Sequence, residues 1–340
     1  MAVDGLSSVQ ENIRISTFNM ESLDEPPRAR VSLESRISAL RPQLTRLRAD
    51  ILCLQEINGQ MNASGDRRTL RALDTLLKDT IYENYHQIVT QSPSGRGVRD
   101  RHNLVILSRF PFCGSDEVHH HLIEPPLFRC STSNPAMDKA EPVVWDRPFL
   151  FANVELDDGH VLGVLNVHLR APRAAFVSGQ KSNPHNWKSL SGWAEGFFLA
   201  TVKAAGQALE VRIFLERLFD LDSKALVCVM GDFNCNDGEA PLRIICGDEE
   251  DTGSGEFAFR MLTAAERNIP ESQRYSVIHR GQEFMVDHVL LSQNLMGWLH
   301  HVECHNETLH DEVGSPAAII EAPQSYHAPV VAELTPPYKR

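Results

Sequence analysis

What this chain of 340 residues lacks narrows its class first. Its seven cysteines, Cys53, Cys113, Cys130, Cys228, Cys235, Cys246 and Cys304, form no CxxC pair, and their number is odd. Cys53 and Cys228 lie inside apolar runs and read as small core residues. That usage favours a reducing compartment over a disulfide framework. Met1 to Glu11 carry neither a basic leading region nor an apolar stretch, so no secretory signal is expected and the cytoplasm is the expected location. No apolar run reaches the roughly 18 residues that a membrane helix needs, so a soluble protein with no membrane span is expected. Positive charge is in deficit: 33 Lys and Arg against 45 Asp and Glu leave a net charge of −12. Such a surface repels polyanions, and a nucleic-acid substrate would need a local basic cleft or divalent cations. Acidity also suits carboxylates that hold a metal. There is no repeat, heptad or low-complexity tract, and no protein partner is evident.

What is present is an interleaved set of strands and helices with 42% hydrophobic residues, enough for a large core. Ile13 to Phe18 alternates with period two, as a half-buried strand does. Ile51 to Leu54, Asn103 to Ser108 and Ala225 to Met230 read as buried strands. Phe149 to Leu156, Asp157-Asp158-Gly159 and His160 to Val167 read as a β-hairpin. Glu283 to Ser292 and Val330 to Leu334 complete the strands, and Tyr85 to Val89 is a candidate. Helical spacing falls on Ile37, Leu40, Leu44 and Leu47, where Pro42 marks a kink or the true start. It falls again on Leu70 to Leu77, Phe197 to Phe219 and Glu239 to Cys246. Pro26 and Pro27 mark a loop. The expected divisions are a tail at 1–12, one domain at 13–335 with irregular insertions at about 114–147 and 171–196, and a tail at 336–340. Strands spread along the whole length, with one clear antiparallel hairpin, point to two mixed sheets face to face with helices outside.

Polar residues stand at the ends of these strands: Asn19, Glu56, His168, Asp232 with Asn234, Asp287, and His327 just before the last strand. Charge at the mouth of a core costs free energy unless a metal, phosphate or partner satisfies it. Asp232 and Asn234 are two apart, a spacing that shares one face of a strand. A carboxylate that polarises water and an amide that holds a phosphoryl oxygen would suit a phosphate ester. The plain alternative is an Asp/Asn turn.

Ser16-Thr17-Phe18-Asn19, Leu54-Gln55-Glu56, Val105-Ile106-Leu107-Ser108-Arg109, Asn166-Val167-His168-Leu169, Gly231-Asp232-Phe233-Asn234, Val286-Asp287-His288-Val289 and Ser325-Tyr326-His327-Ala328-Pro329 occur in this order. The chain thereby resembles the endonuclease/exonuclease/phosphatase superfamily, over about residues 13 to 334. The resemblance implies a four-layer α/β sandwich with its site at one edge of two mostly antiparallel sheets. It implies a divalent-metal-dependent phosphoesterase of nuclease or phosphodiesterase type, acting on nucleic acid or a small organophosphate. A phosphomonoesterase acting on a phosphorylated metabolite or lipid headgroup, or a weakened phosphate-binding module, is the alternative. By the same resemblance Glu56 ligates Mg²⁺, with Mn²⁺ possible, and Asn19 sits beside it. Asp232 activates water, Asn234 holds a phosphoryl oxygen, His168 and His327 stabilise charge on phosphorus, and Asp287 supports His327. Tyr326 stands where relatives carry aspartate, which leaves Glu56 with fewer carboxylate partners. Its phenol is a candidate substrate contact, as are Arg170 and Asn103, with plain packing as the alternative for Tyr326.

His119-His120-His121 is a weak metal candidate, since no carboxylate or cysteine completes a set. Arg96, Arg99, Arg101, Lys181 and Lys188 could form a basic rim, and Trp187 and Trp193 could stack on a base or anchor their loop. His288, alternating with Asp287, should face away from the cleft.

Overall fold

The computed structural model describes residues 12–25, 31–313 and 322–337. The expected loop at Pro26 and Pro27 and most of both expected tails lie outside these residues. Twelve strands make the two main sheets: β1 Ile13–Leu23, β2 Ile51–Ile57, β3 His86–Val89, β4 Asn103–Ser108, β5 Phe112–Val118, β6 Phe149–Glu155, β7 Val161–His168, β8 Leu226–Asp232, β9 Leu262–Ala264, β10 Asp287–Ser292, β11 Leu299–Cys304 and β12 Val330–Leu334. The first sheet runs β11-β12-β1-β2-β4-β3 and the second β9-β10-β8-β7-β6-β5. Only β1 with β2 and β7 with β8 pair in parallel.

Alternation decides the layers. Inward residues of both sheets, among them Ile15, Cys53, Ile106, Leu150, Val164, Cys228, Val289 and Ala332, form one core between the sheets. The opposite residues of the first sheet, Phe18, Leu52, Leu54 and Val105, pack under α1 (Leu33–Leu47) and α2 (Arg71–Leu77). Those of the second sheet, Leu165, Val167, Val227 and Val229, pack under α3 (Leu190–Leu221) and α4 (Ala240–Cys246). The result is the expected helix–sheet–sheet–helix sandwich, each layer burying the apolar face of the next.

Several boundaries differ from the sequence reading for local reasons. The first helix starts at Leu33, capped by Ser32, and runs through Pro42. The third starts at Leu190, seven residues before Phe197, and carries Gly192 and Gly196 inside it. Those glycines read as loop, but Gly196 is a packing requirement: a Cβ there would meet Ala175 O at 2.5 Å. Strands β5 and β11 were not expected, because FCGSDEV and LHHVEC lie at sheet edges and lack an apolar alternation. The expected strand Glu283 to Ser292 is broken before Asp287. There Met285 N donates to Asn236 Oδ1, and Val286 N and Asp287 N both donate to Ser276 Oγ. Among the described residues no helix is long and apolar enough to cross a membrane.

Candidate active site

Strand register assembles the site. In the second sheet His168 lies opposite Asp232, and Asp232 opposite Asp287, so three functional side chains share one row at the strand ends. In the first sheet Asn19 pairs with Gln55, directly before Glu56. Gln55 and Asn166 tie the sheets together beneath this row. Gln55 Nε2 donates to Asn166 Oδ1 at 2.8 Å, and Asn166 Nδ2 donates to Leu54 O and Val105 O. Buried amides with every group satisfied fix the spacing of the two sheets where the site needs it.

The backbone at the rim is strained. Nine described non-glycine residues have positive φ, and Glu21, Ser22, Glu56, His102 and Asn234 are five of them. This conformation costs roughly 1–2 kcal/mol per residue, so its concentration here marks a constrained site. At Gly231, with φ 152°, any Cβ would fall 1.9 Å from Val167 O. Glycine is therefore required immediately before Asp232.

Asp232 is the centre. Its carboxylate accepts from Asn19 Nδ2 at 2.9 Å, Asn234 N at 2.8 Å and Asn234 Nδ2 at 3.0 Å, and His168 Nε2 lies 3.3 Å away. Burial pushes its pKa up to about 7, against the pull of His327. Asn234 does not share a strand face with Asp232. It turns into the left-handed region and folds back on it, donating also to Leu169 O at 3.1 Å. Its amide is thus spent on orienting Asp232, where a phosphoryl oxygen was the expected partner.

Glu56 Oε1 is 3.7 Å from His168 Nε2, and its Oε2 accepts from Ser22 Oγ at 3.0 Å. Burial favours its neutral acid, but His102, His327 and Arg147 outweigh that and lower its pKa. Burial, then Arg147 and neighbouring imidazoles, hold His168 well below the usual histidine range. Asp287 Oδ2 lies 2.8 Å from His327 Nδ1, which turns Nε2 away from the pair. Burial works against the His327 cation, yet Asp287 and Asp232 raise its pKa to about 10. His288 faces the other way and binds Glu266 and Cys235 O.

Other expectations need correcting. Asn103 is fully buried, and its amide is consumed by Ile57 O, Arg99 O, Arg99 N and Thr90 Oγ1. It fastens a loop and cannot reach a substrate. Arg170 pairs with Asp146 at 3.1 Å, and Arg99 with Glu117 at 2.6 Å, so neither stands as an open clamp. Tyr326 is 5% exposed, and its backbone N–H donates to Glu21 Oε2 at 2.8 Å. His119 and His120 bond the Trp145 backbone instead of facing a common point. Trp187 packs under Lys181.

Four site residues escaped the sequence reading. Glu21 and Arg36 sit beside Glu56, with Arg36 donating to Met20 O and Glu21 O. Glu21 lies at positive φ, beyond the reach of strand alternation, and it puts a carboxylate against the segment where Tyr326 stands. His102 Nδ1 lies 3.5 Å from Glu56 Oε2. Arg147 had no sequence signal.

Two groups of donors converge within 4.8 Å among the described residues: Glu56 with His102 and His168, and Asp232 with Asp287 and His327. Asp287 Oδ1 is buried with no hydrogen-bond partner among them. Clustered carboxylates with an unsatisfied oxygen fit a divalent cation.

A two-sheet sandwich carrying carboxylates, amides and imidazoles at one shared edge defines a phosphoester-hydrolase type of site. The sequence profile of the Endonuclease/Exonuclease/phosphatase family matches residues 16–298, and the chain belongs to that family. It is accordingly a divalent-metal-dependent phosphoester hydrolase. Comparison with curated proteins finds no sequence match. Among solved structures, a 3′ phosphatase from Neisseria bound to a product DNA hairpin is similar at 18% identity and TM-score 0.51, covering 95% of this chain and 99% of the other. A family protein from Leptotrichia buccalis matches at 16% identity and TM-score 0.54, covering 95% and 99%. Truncated TDP2 from Caenorhabditis elegans matches at 14% identity and TM-score 0.54, covering 96% and 98%. At these identities the likeness shows the fold.

Proposed function

We propose that the chain hydrolyses a phosphodiester, in nucleic acid or a small organophosphate, by in-line attack of water. The observation that carries this reading is the meeting of Asn19, Glu56, His168, Asp232 and the Asp287–His327 pair in one cleft. Glu56 would hold the metal, Mg²⁺ or in its place Mn²⁺, and Asn19 steadies Asp232 beside it. The bound cation supplies neutralisation of phosphoryl charge. Asp232, held by three N–H donors, takes the proton of the attacking water. His327, kept cationic by Asp287, presents Nε2 to the charge growing on phosphorus. His168, with Nε2 3.3 Å from Asp232 and 3.7 Å from Glu56, donates a hydrogen bond to the charge developing on phosphorus. Seven cysteines without a disulfide among them support a reducing, cytoplasmic setting.

Bis(p-nitrophenyl) phosphate tests the reading. Turnover with Mg²⁺ or Mn²⁺ that stops with chelator, and is lost in Asp232→Asn, is the expected result. A panel of DNA, RNA, nucleotides, sphingomyelin and p-nitrophenyl phosphate ranks diester against monoester. Turnover of monoesters alone would replace the diesterase reading, and binding without turnover would indicate a phosphate-binding module.

A further inference from the structure

Among the described residues Arg147 is a strong cation at this cleft that neither the sequence motifs nor the proposed chemistry uses, and unlike Arg36, whose guanidinium donates to both Met20 O and Glu21 O, it makes a single side-chain hydrogen bond. Its guanidinium influences Glu56, Asp232, His102 and His168. Among the described residues no carboxylate lies within ion-pair distance of it. Its side-chain hydrogen bond is Nη1 to Leu169 O at 3.3 Å. Asn234 Nδ2 donates to the same oxygen at 3.1 Å. Arg147 therefore stands beside the turn that carries Asn234, which itself donates to Asp232.

The surrounding structure is built to deliver it. Gln207 of α3 donates through Nε2 to Arg147 O at 3.2 Å and accepts from Arg170 N at 2.8 Å. One turn on, the buried Glu210 accepts from Trp145 Nε1 at 3.0 Å and from the backbone N–H groups of His120 and Leu122 at 3.1 Å. Asp146 is held by Lys203 at 3.0 Å and Arg170 at 3.1 Å. The segment before β6 is thus strapped to α3 at Trp145, Asp146 and the Arg147 carbonyl, while the Arg147 side chain has no acidic partner among the described residues. A partly buried guanidinium left unpaired costs free energy that an arriving anion recovers, and its planar fork matches two phosphoryl oxygens.

We propose that Arg147 is a substrate-binding and catalytic residue that grips the non-bridging oxygens of the scissile phosphate. The proposal rests on the reading of the cleft as a phosphoester hydrolase. It adds a protein cation on the Leu169 side of the phosphate, so that the metal at Glu56 and Arg147 share its charge.

The test uses the full chain with Mn²⁺ and the variants Arg147→Met and Arg147→Lys. For Arg147→Met, kcat/KM on bis(p-nitrophenyl) phosphate should fall about 100-fold, the scale of losing one preorganised oxyanion donor. Guanidinium chloride at tens of millimolar should restore part of it, which a merely structural defect would not allow. Inhibition by inorganic phosphate should weaken at least tenfold, with the thermal midpoint nearly unchanged. Arg147→Lys, which keeps the charge without the fork, should fall between. Equal phosphate affinity in wild type and Arg147→Met, or lost activity that guanidinium does not restore, overturns the proposal. If Arg147→Met fails to fold, Arg147→Lys with wild-type kcat/KM and phosphate affinity overturns it. A wild type inert on every ester sinks the hydrolase reading, and direct phosphate titration by calorimetry then still decides whether Arg147 binds the anion.

Discussion

Strand β10 carries two histidine–carboxylate pairs on neighbouring residues and opposite faces. Asp287 meets His327 in the cleft, and His288 meets Glu266 behind it. Behind the sheet everything is closed: His288 is 0% and Glu266 2% exposed. There Glu266 serves His288 Nδ1 and accepts from Val289 N, and His288 Nε2 reaches Cys235 O at 2.9 Å. In the cleft the pair is open. Asp287 Oδ1 has no hydrogen-bond partner among the described residues, and His327 Nε2 faces away from Asp287. A buried charge with a complete set of partners holds a fold together. A buried charge with an incomplete set is waiting for a ligand.

Removing one member from each pair separates these roles most sharply. His327→Ala should lower kcat on a phosphodiester by ~10²–10⁴-fold, the usual contribution of a positioned acid–base group, with little change in denaturant midpoint. Glu266→Ala should do the reverse. It strands a buried histidine cation, which costs about 3–5 kcal/mol, while kcat per folded molecule stays within a few-fold. Initial rates and urea unfolding on the same preparations read both. Destabilisation by His327→Ala, with Glu266→Ala impairing only turnover, would reverse the assignment of the two faces.

Glu56→Gln probes the open face through its metal. The Mn²⁺ concentration for half-maximal rate should rise by at least the ~10–100-fold typical of outer-shell changes at metal sites. Stability without metal should hardly move. A metal titration unaltered by the variant would place the ion elsewhere in the cleft.

A milder change uses pH. Asp232 must be ionised to accept a proton, so kcat/KM should rise through about pH 7. His327 must keep its proton to donate, so the rate should fall again through about pH 10. Asp287→Asn removes the first carboxylate that holds the His327 proton, and Asp287 also raises Asp232. Both limbs should therefore move to lower pH, the alkaline limb further. An alkaline limb that stays in place would detach His327 from Asp287.

The same contrast shows what the sequence could reveal. Side chains set by strand alternation were legible, and so were the sandwich layers and the opposite facing of Asp287 and His288. Asn19, Glu56, His168 and Asp232 were findable because each ends an apolar run, and His327 because it stands just before one. Arg147 and His102 were not. Arg147 is placed by Gln207 from α3 and by a strapped segment with no periodicity. His102 sits at positive φ before β4, a backbone state no hydrophobic pattern encodes. Asn103 misled because a polar amide at the start of a buried strand looks free to meet a substrate. Only the Ile57 and Arg99 backbone groups around it reveal that its amide is already used. Edge strands β5 and β11 were hidden for the same reason in reverse: pairing on one side needs hydrogen bonds, not apolar side chains.

The smallest expected effect lies on the closed face and concerns stability alone. Burial resists charging His288, but the Glu266 carboxylate outweighs it, so the folded pKa is raised above the ordinary histidine value of about 6.5. The native state then holds this proton more tightly than the unfolded chain does. Its contribution is complete below the ordinary histidine pKa and is lost as pH rises through the raised one. Unfolding free energy should consequently decline from neutral into mildly alkaline pH. Glu266→Gln keeps a hydrogen-bond acceptor beside His288 and removes the charge, so the decline should flatten. Urea midpoints taken from pH 6 to 9 on both proteins make the comparison. An equal slope in the two would mean that the alkaline loss arises at the open pair, where His327 also titrates, and that the closed pair keeps its proton throughout.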